Sequence, residues 1–403
     1  MRAAFESEWA RIVATLIRLT GDWDVAEDAA AGAFERALTT WPRDGVPRSP
    51  GAWLTTAARN LALDKLRRRG VETQKLKDWL AMDDARGWSH DPAEVVDGEP
   101  EWDDRLRLIF TCAHPALPLE SRVALTLRTV GGLTTPEVAH AFFVSEPTMA
   151  QRIVRAKAKI AHAGIPYRVP ASDALPERLD GVLAVLYLIY NEGYTASSGA
   201  HLQRPDLAAE AIRLARLLVG LLPESEARAL LALMLLQHAR SAARVDANGD
   251  LVPLEDQDRS LWDTAEIAEG LTLLRGPVTR RGAYRVQAGI QAVHALARTA
   301  AETDWTAILA FYRELPDSPF VELNRAIALA MAEGPRVGLA ALDRLAASGQ
   351  LAGHHLLPAA RADLSRRAGL VQAAATSYRE AIELAPTGPE RRYLERRLGA
   401  LSG

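Results

Sequence analysis

The 403-residue chain has one cysteine, Cys112. It can make no internal disulfide and has no cysteine cluster to hold a structural metal. No apolar run approaches the roughly 18–20 residues that span a bilayer. The N-terminal MRAAFESEWAR carries acids where a secretory signal carries an apolar core, so a cytoplasmic location with no membrane partner is expected. Strand-type alternation of β-branched residues is missing as well. So are HExxH spacing, a G-x-x-x-x-G-K-[ST] loop and any paired acid/base or nucleophile set. The expectation is therefore a protein that is not an enzyme and carries no cofactor. Nor is basic charge in excess: the net charge is −3, residues 1–168 hold 23 Lys+Arg against 23 Asp+Glu, and residues 169–403 hold 25 against 28. Neither half is basic as a block.

What is present is ordinary globular material, 48% hydrophobic and 25% charged, long enough for two or three domains. Nearly every periodic segment reads at helix spacing, which predicts an all-α fold. In the first segment, Arg2 to Leu19, Phe5, Trp9, Ile12, Val13, Leu16 and Leu19 form one stripe, ended by Thr20-Gly21. Asp22 offers a cap to a second helix with Val25, Ala29, Ala33, Phe34, Ala37 and Leu38 apolar, expected to end before Trp41-Pro42. After a loop rich in proline and glycine, a third helix over Ala52–Arg69 places Trp53, Leu54, Ala57, Leu61 and Leu66 inward and ends in a solidly basic turn. Residues 71–101 read as an acidic linker with one short helix around Gln74–Ala81. Helices are expected at Asp103–Ala113, Leu119–Val130, Thr135–Phe142 and Glu146–Ala163, before a second boundary at Gly164–Pro170.

Beyond Pro176 come helices of 13 to 20 residues separated by Gly, Pro or Asn turns, the rhythm of a helical repeat array. Gly369, Ala374, Tyr378, Ala381 and Pro386 match the second half of a tetratricopeptide unit, whereas His355–Arg367 fits its first half poorly.

Two local windows are basic where the average is not. Arg59 to Lys77 holds seven cations against Asp64 and Glu72, and Gln151 to Arg168 holds five and no acid. The second lies in LTTPEVAHAFFVSEPTMAQRIVRAKA, Leu133–Ala158, which reads as a helix-turn-helix. Thr134 or Thr135 caps its first helix, with Pro136 and Glu137 in the first turn, and Ser145 caps its second. Met149, Ile153 and Val154 are expected inward. Thr148, Gln151, Arg152, Arg155 and Lys159 recur at spacings of three and four on the outer face, as major-groove reading and phosphate contact require.

The segment VAEDAAAGAFERALTTW, Val25–Trp41, and the later AWLTTAARNLALDKLRRRG resemble region 2 of sigma-70 factors of the extracytoplasmic function (ECF) type. The residues that carry the likeness are Ala26-Glu27-Asp28, Phe34, Trp41, Trp53-Leu54, Ala58-Arg59-Asn60 and Asp64-Lys65-Leu66-Arg67-Arg68. Leu133–Ala158 resembles region 4.2, and the whole chain looks like the ECF group with a C-terminal tetratricopeptide-type extension. DDRLRLIFTCAHPAL (Asp103–Leu117) and YLIYNEGYTASSG (Tyr187–Gly199) look like that group too. The chain departs from the pattern at Ala31 and Gly32, where Gln and Glu are usual. It also carries Phe142-Phe143 in place of Leu-Gly, Pro147 in the recognition helix, and Ala113 where group members often have a second cysteine.

The resemblance implies region 2 over 1–70, region 4 over 102–166 and a helical extension over 170–403. It implies a factor that binds the β′ and β subunits of core RNA polymerase and directs initiation at promoter DNA. Core contact would fall to Glu27, Asp28, Phe34, Arg36 and Leu38. The minus-10 element would meet Arg43, Trp53, Arg59, Asn60, Asp64, Lys65, Arg67 and Arg68, with flipped bases held by the Arg43–Gly51 loop and Asn60. The minus-35 element would meet Thr148, Gln151, Arg152, Arg155, Lys157 and Lys159. The extension would modulate activity through an intramolecular or protein partner, with Asn191, Glu192 and Tyr194 as a contact site. Cys112 and His114 are two ligands where structural zinc needs four, so no metal is expected and Cys112 reads as core. The competing reading is a helix-turn-helix regulator with a sensing helical domain, which leaves the region 2 motifs without a use.

Overall fold

The computed structural model describes residues 2–68, 103–142, 144–196 and 202–401. The expected linker at 71–101 with its short helix, Arg69, Phe143 and Ser197–Gly199 lie outside the described residues, as does the side chain of Phe5. Among the described residues the structure is helical, with no strand beyond one isolated bridge, Val245 to Leu251. The chain divides into two compact units, Met1–Leu186 and Tyr187–Gly403.

In the first unit, α1 (Arg2–Thr20) buries Trp9, Ile12, Val13 and Leu16. It stops at Gly21, φ 69°, where the left-handed backbone suits glycine. Asp22 caps α2 (Trp23–Asp44), its Oδ1 accepting from the amides of Asp24 at 3.0 Å and Val25 at 2.9 Å. The helix does not end before Trp41-Pro42 as expected but continues to Asp44. Pro42 removes one backbone donor in the last turn. Buried Trp41, edge-on to Trp53 at 5.6 Å, holds that turn in place. Gly45, φ 85°, closes it by donating to Trp41 O. Leu38, expected on the apolar stripe, is 57% exposed.

Helix α3 (Pro50–Arg68) buries Leu54, Ala58, Ala62, Leu63 and Leu66. The expected inward residues Trp53, Ala57 and Leu61 are half-buried, so the stripe is rotated by about one residue. A Cβ on Gly32 would stand 3.0 Å from Leu61 Cδ1, which gives the unusual glycine of α2 a packing reason. Asp103 caps α4 (Asp104–Cys112); α5 (Leu119–Leu125) runs on as a π-helical turn, Thr126–Val130; then come α6 (Thr135–Ala141) and α7 (Glu146–His162). Cys112 is fully buried, and burial pushes its thiol pKa up. The unit includes the first part of α8 (Leu175–Tyr194): Arg178 donates to Phe110 O at 2.8 Å, and Tyr167 OH to Ala14 O at 3.0 Å. Residues 170–186 of the expected extension thus pack here.

The second unit continues with α9 (Pro205–Leu221), α10 (Ser225–His238), α11 (Thr264–Arg275), α12 (Ala283–Leu296), α13 (Trp305–Glu314) and α14 (Pro319–Glu333), followed by α15 (Pro335–Ala347), α16 (Leu356–Arg367), α17 (Val371–Leu384) and α18 (Gly388–Gly399). Successive helices bury small and aliphatic residues against one another. Gly193 makes a tight crossing, since a Cβ there would lie 2.3 Å from the Ala208 amide nitrogen, as does Gly338, where a Cβ would lie 2.3 Å from that of Ala330. Ala374, Tyr378 and Ala381 pack with Ala362 and Leu394 in one core cluster, as the repeat spacing predicts. The stretch between α10 and α11 is tied to the end of the chain: Asp250 accepts from Arg392 at 2.5 Å and from Arg396, and Glu255 from Arg367 at 2.5 Å.

Candidate nucleic-acid interface

The helix-turn-helix forms as its caps require. Thr134 and Glu137 make a capping box: Thr134 N donates to Glu137 Oε2 at 2.6 Å, and Glu137 N to Thr134 Oγ1 at 3.4 Å. Ser145 Oγ accepts from Thr148 N at 3.4 Å at the start of α7, with Pro147 in the first turn where no amide bond is lost. Met149, Ile153, Ala156 and Ile160 are buried beneath α7. Val154, expected with them, is 63% exposed, because it lies one residue around the helix from Ile153. The outer face carries Thr148, Gln151, Arg155 and Lys159, all exposed, with Arg152 half-buried at its margin. Among the described residues no carboxylate pairs with Arg152, Arg155 or Lys159.

Lys157 differs from these five and does not belong to that face. Its Nζ lies 2.8 Å from Asp24 and 3.2 Å from Glu27 of α2, and its side chain is 14% exposed. Glu27 is correspondingly buried. Its Oε1 accepts from Thr129 Oγ1 at 2.9 Å, and its Oε2 lies 3.1 Å from Arg128. Trp9 Nε1 donates to Thr129 O at 3.1 Å, and Phe34, also buried, lies 6.2 Å from the Trp9 ring. Of the residues expected to face a partner along α2, Glu27 and Phe34 are therefore internal here. Asp28, Arg36 and Leu38 are exposed, Asp28 paired to Lys65 of α3 at 2.8 Å. Arg128 and Thr129 were not singled out by sequence pattern, since their partner Glu27 lies 102 residues before Thr129 and leaves no local periodic signal.

On α3, Asn60, Asp64, Arg67 and Arg68 are exposed at helical spacing, whereas Arg59 is buried at 8% exposure and Trp53 is half-buried. Arg43, expected in a loop, sits exposed in the last turn of α2, and Gly51 is already inside α3, so the intervening loop is only 45–49. Elements α3 and α7 thus each present a cationic outer face on an apolar underside, a surface suited to a nucleic-acid backbone.

In the second unit, Asn191 O accepts from Thr195 N at 2.8 Å and Glu192 lies 3.4 Å from Arg204. Tyr194 stacks on Tyr190 at 5.5 Å, with the Arg244 guanidinium 3.6 Å from its ring centroid. His114 turns Nδ1 to the Ala116 amide. Among the described residues no group of three or more His, Cys, Asp or Glu could hold a metal, and no helix is long and apolar enough to cross a membrane.

Comparison with known proteins supplies the remaining findings. Residues 5–71 match the family model of sigma-70 region 2 and residues 107–160 that of sigma-70 region 4. Residues 178–277 match a family of unknown function, DUF6596. An uncharacterized protein of Rhizobium meliloti (strain 1021) is 43% identical over 393 residues, covering 96% of this chain and 92% of that protein. The probable ECF RNA polymerase sigma factor SigI of Mycobacterium tuberculosis is 30% identical over 165 residues, 40% of this chain and 55% of that one. No solved structure matches. With both conserved regions matched in order on the elements described above, the chain belongs to the ECF type of the sigma-70 family, with a C-terminal extension that fits the DUF6596 domain.

Proposed function

We propose that this sigma factor reads the minus-35 element with the outer face of α7 and opens the minus-10 element with α3, while α2 docks on the β′ subunit of core polymerase and region 4 on the β subunit. The observation that carries the reading is the unpaired cationic face of α7, set on a helix whose caps and apolar underside fix its orientation. Arg152 and Arg155 take base or phosphate contacts, and Thr148 and Gln151 face base edges. On α3, Asn60 and Asp64 meet the melted strand, and Arg67 and Arg68 its phosphates. The factor performs no covalent chemistry.

The arrangement of the first unit adds a step. Two promoter elements named for positions 25 base pairs apart lie on the order of 80 Å apart along the duplex at 3.4 Å per base pair. With α3 tied to α2 through Lys65 and Asp28, and α7 tied to α2 through Lys157, Asp24 and Glu27, at 2.8–3.2 Å, α3 and α7 cannot serve both elements at once. The described state is the resting one, and docking of α2 on the polymerase replaces the Glu27 contacts with Thr129, Arg128 and Lys157. The extension, a tetratricopeptide-like stack of helix pairs, sets how readily this happens, in the direction of supporting activity.

Run-off transcription with purified core polymerase tests the reading. The protein should direct initiation at a defined start site, and a variant ending at Tyr194 should do so poorly. Tight binding to duplex operators by the protein alone, with no run-off product, would establish the regulator reading instead.

A further inference from the structure

About half of the second unit's arginines pair with acids, and one group without a carboxylate is set apart by its buried, unpartnered nitrogens. Helix α10 ends at His238, and the turns that follow bring Arg240 and Arg244 to Tyr194 at the end of α8. Their guanidinium carbons lie 5.9 and 3.6 Å from its ring centroid. Arg259, from a 3-10 turn at 259–261, lies 4.5 Å from the Trp262 ring and donates to His294 O and Ala297 O at 2.8 and 2.6 Å. His294, 8% exposed, stands edge-on to Trp305. Burial and the charges of Arg240 and Arg259 hold its pKa down to about 4. The Asp263 amide donates to Ala239 O at 2.7 Å, which sets the 259–262 turn beside Arg240.

Helix ends account for part of this. Arg244 donates to Tyr194 O at the C-terminus of α8, and Arg259 donates at the C-terminus of α12, where carbonyl dipoles favour cations. Arg240 has no such acceptor. Among the described residues no carboxylate pairs with any of the three. The carboxylates whose charge reaches them are engaged elsewhere, Glu302 with Arg298 and Glu390 with Thr387 and His355. Five polar atoms here are buried without a hydrogen-bond partner: Arg240 Nε, Arg259 Nη2, Trp262 Nε1, Tyr194 OH and His294 Nδ1. Such groups cost free energy comparable to a lost hydrogen bond, more when charged. Their concentration at one place, drawn from the ends of α8, α10 and α12 and the 259–262 turn, points to an absent acceptor.

We propose that Arg240, with Arg244, Arg259 and the Tyr194 hydroxyl, forms a binding site for a phosphate group, either free or at the end of a small phosphorylated molecule. Phosphate fits better than carboxylate because the donors come from several separate elements. A tetrahedral group with several oxygens can accept from all of them, whereas a planar carboxylate is matched by a single guanidinium fork. The site lies within 178–277, with Arg240 and Arg244 near the start of the α10–α11 connection and Arg259 near its end, so an occupant would brace that connection against Tyr194 of α8. It stands independently of the promoter-binding reading, because none of these residues lies on α2, α3 or α7.

Calorimetric titration of the full chain at low ionic strength, with inorganic phosphate and separately with phenyl phosphate, tests this directly. Saturable binding of at least one is expected, weakened about tenfold or more in Arg240→Gln and unchanged in Arg216→Gln, whose arginine pairs with Glu269 outside the cluster. Preference for phenyl phosphate identifies a phosphorylated small molecule; equal binding identifies the free ion. Because binding to the folded state raises thermal stability, phosphate should raise the melting temperature of wild type more than that of Arg240→Gln. Arg240→Lys, which keeps the charge and loses the fork, serves if the glutamine variant misfolds. Absence of saturable binding to wild type, binding untouched by both Arg240 variants, or stronger binding of acetate than of phosphate would each overturn the proposal.

Discussion

Cations are used in opposite ways on the outer face of α7 and along the helix pairs of the second unit. On α7, Arg155 and Lys159 stand exposed with no acid to hold them, and Arg67 and Arg68 stand exposed at the end of α3. In the second unit Arg216 is held by Glu269, Arg281 by Glu314 and Arg361 by Asp343, while Arg367 bridges Asp363 and Glu255 and Asp250 clamps both Arg392 and Arg396. A cation already satisfied by a carboxylate gains little by meeting a phosphate. An unpaired one releases counterions when it does. On the proposed function, the difference separates a surface kept for DNA from one that stitches helices together, although the net charge of the chain shows neither. Lys157 is the informative exception on α7, a paired cation among free ones, and the Arg240 group is set apart in the second unit by its buried, unpartnered nitrogens.

The largest effect should come from breaking the second unit while sparing the first. Gly193→Leu drives a side chain into the Ala208 backbone, where even a Cβ would approach to 2.3 Å. Overpacking of this kind costs about 3 kcal/mol or more. Calorimetry should show early melting of the second unit, with the first unit's transition retained. Next, Arg152→Ala combined with Arg155→Ala should lower minus-35-dependent run-off about 10- to 100-fold, at roughly 1–3 kcal/mol for a base-reading contact. A promoter with its minus-35 element scrambled should show no further loss.

A third expectation concerns pH. His294 is held neutral in the folded state down to about 4, against 6.5 for an unperturbed imidazole. Between those values the unfolded chain takes up a proton that the folded one refuses. The second unit should therefore lose stability as pH falls from about 6.5 toward about 4, by a few kcal/mol in all. Urea unfolding followed across that range should show the decline in wild type and a flatter profile in His294→Gln. The smallest effect sharpens the Lys157 exception. Lys157→Ala removes one tie between α7 and α2, and core polymerase should bind the variant about threefold more tightly, measured by fluorescence anisotropy. Unchanged affinity would mean that the contact does not compete with docking.

Much of this was legible in the sequence because it is local. The Asp22, Thr134 and Ser145 caps, the apolar stripes of α1 and α7, and the buried Ala374, Tyr378 and Ala381 are all set by residues within a turn or two of one another. The readings that changed depend on distant partners. Pro42 stays helical because Trp41 packs on Trp53, and α3 is rotated because Leu61 fits against Gly32. Lys157 turns from the outer face of α7 because Glu27, 130 positions earlier in the sequence, receives it. Arg240, Arg244, Arg259 and His294 share no motif and meet only once α8, α10 and α12 have packed.

The contrast on α7 itself offers the most direct test. Holoenzyme binding to one promoter can be measured across a salt series for wild type, Arg155→Gln and Lys157→Gln. If unpaired outer cations are the DNA surface, Arg155→Gln should lower the slope of log affinity against log salt by about 1, and Lys157→Gln should leave it unchanged. Equal slopes for wild type and Arg155→Gln, or a loss confined to Lys157→Gln, would contradict the account.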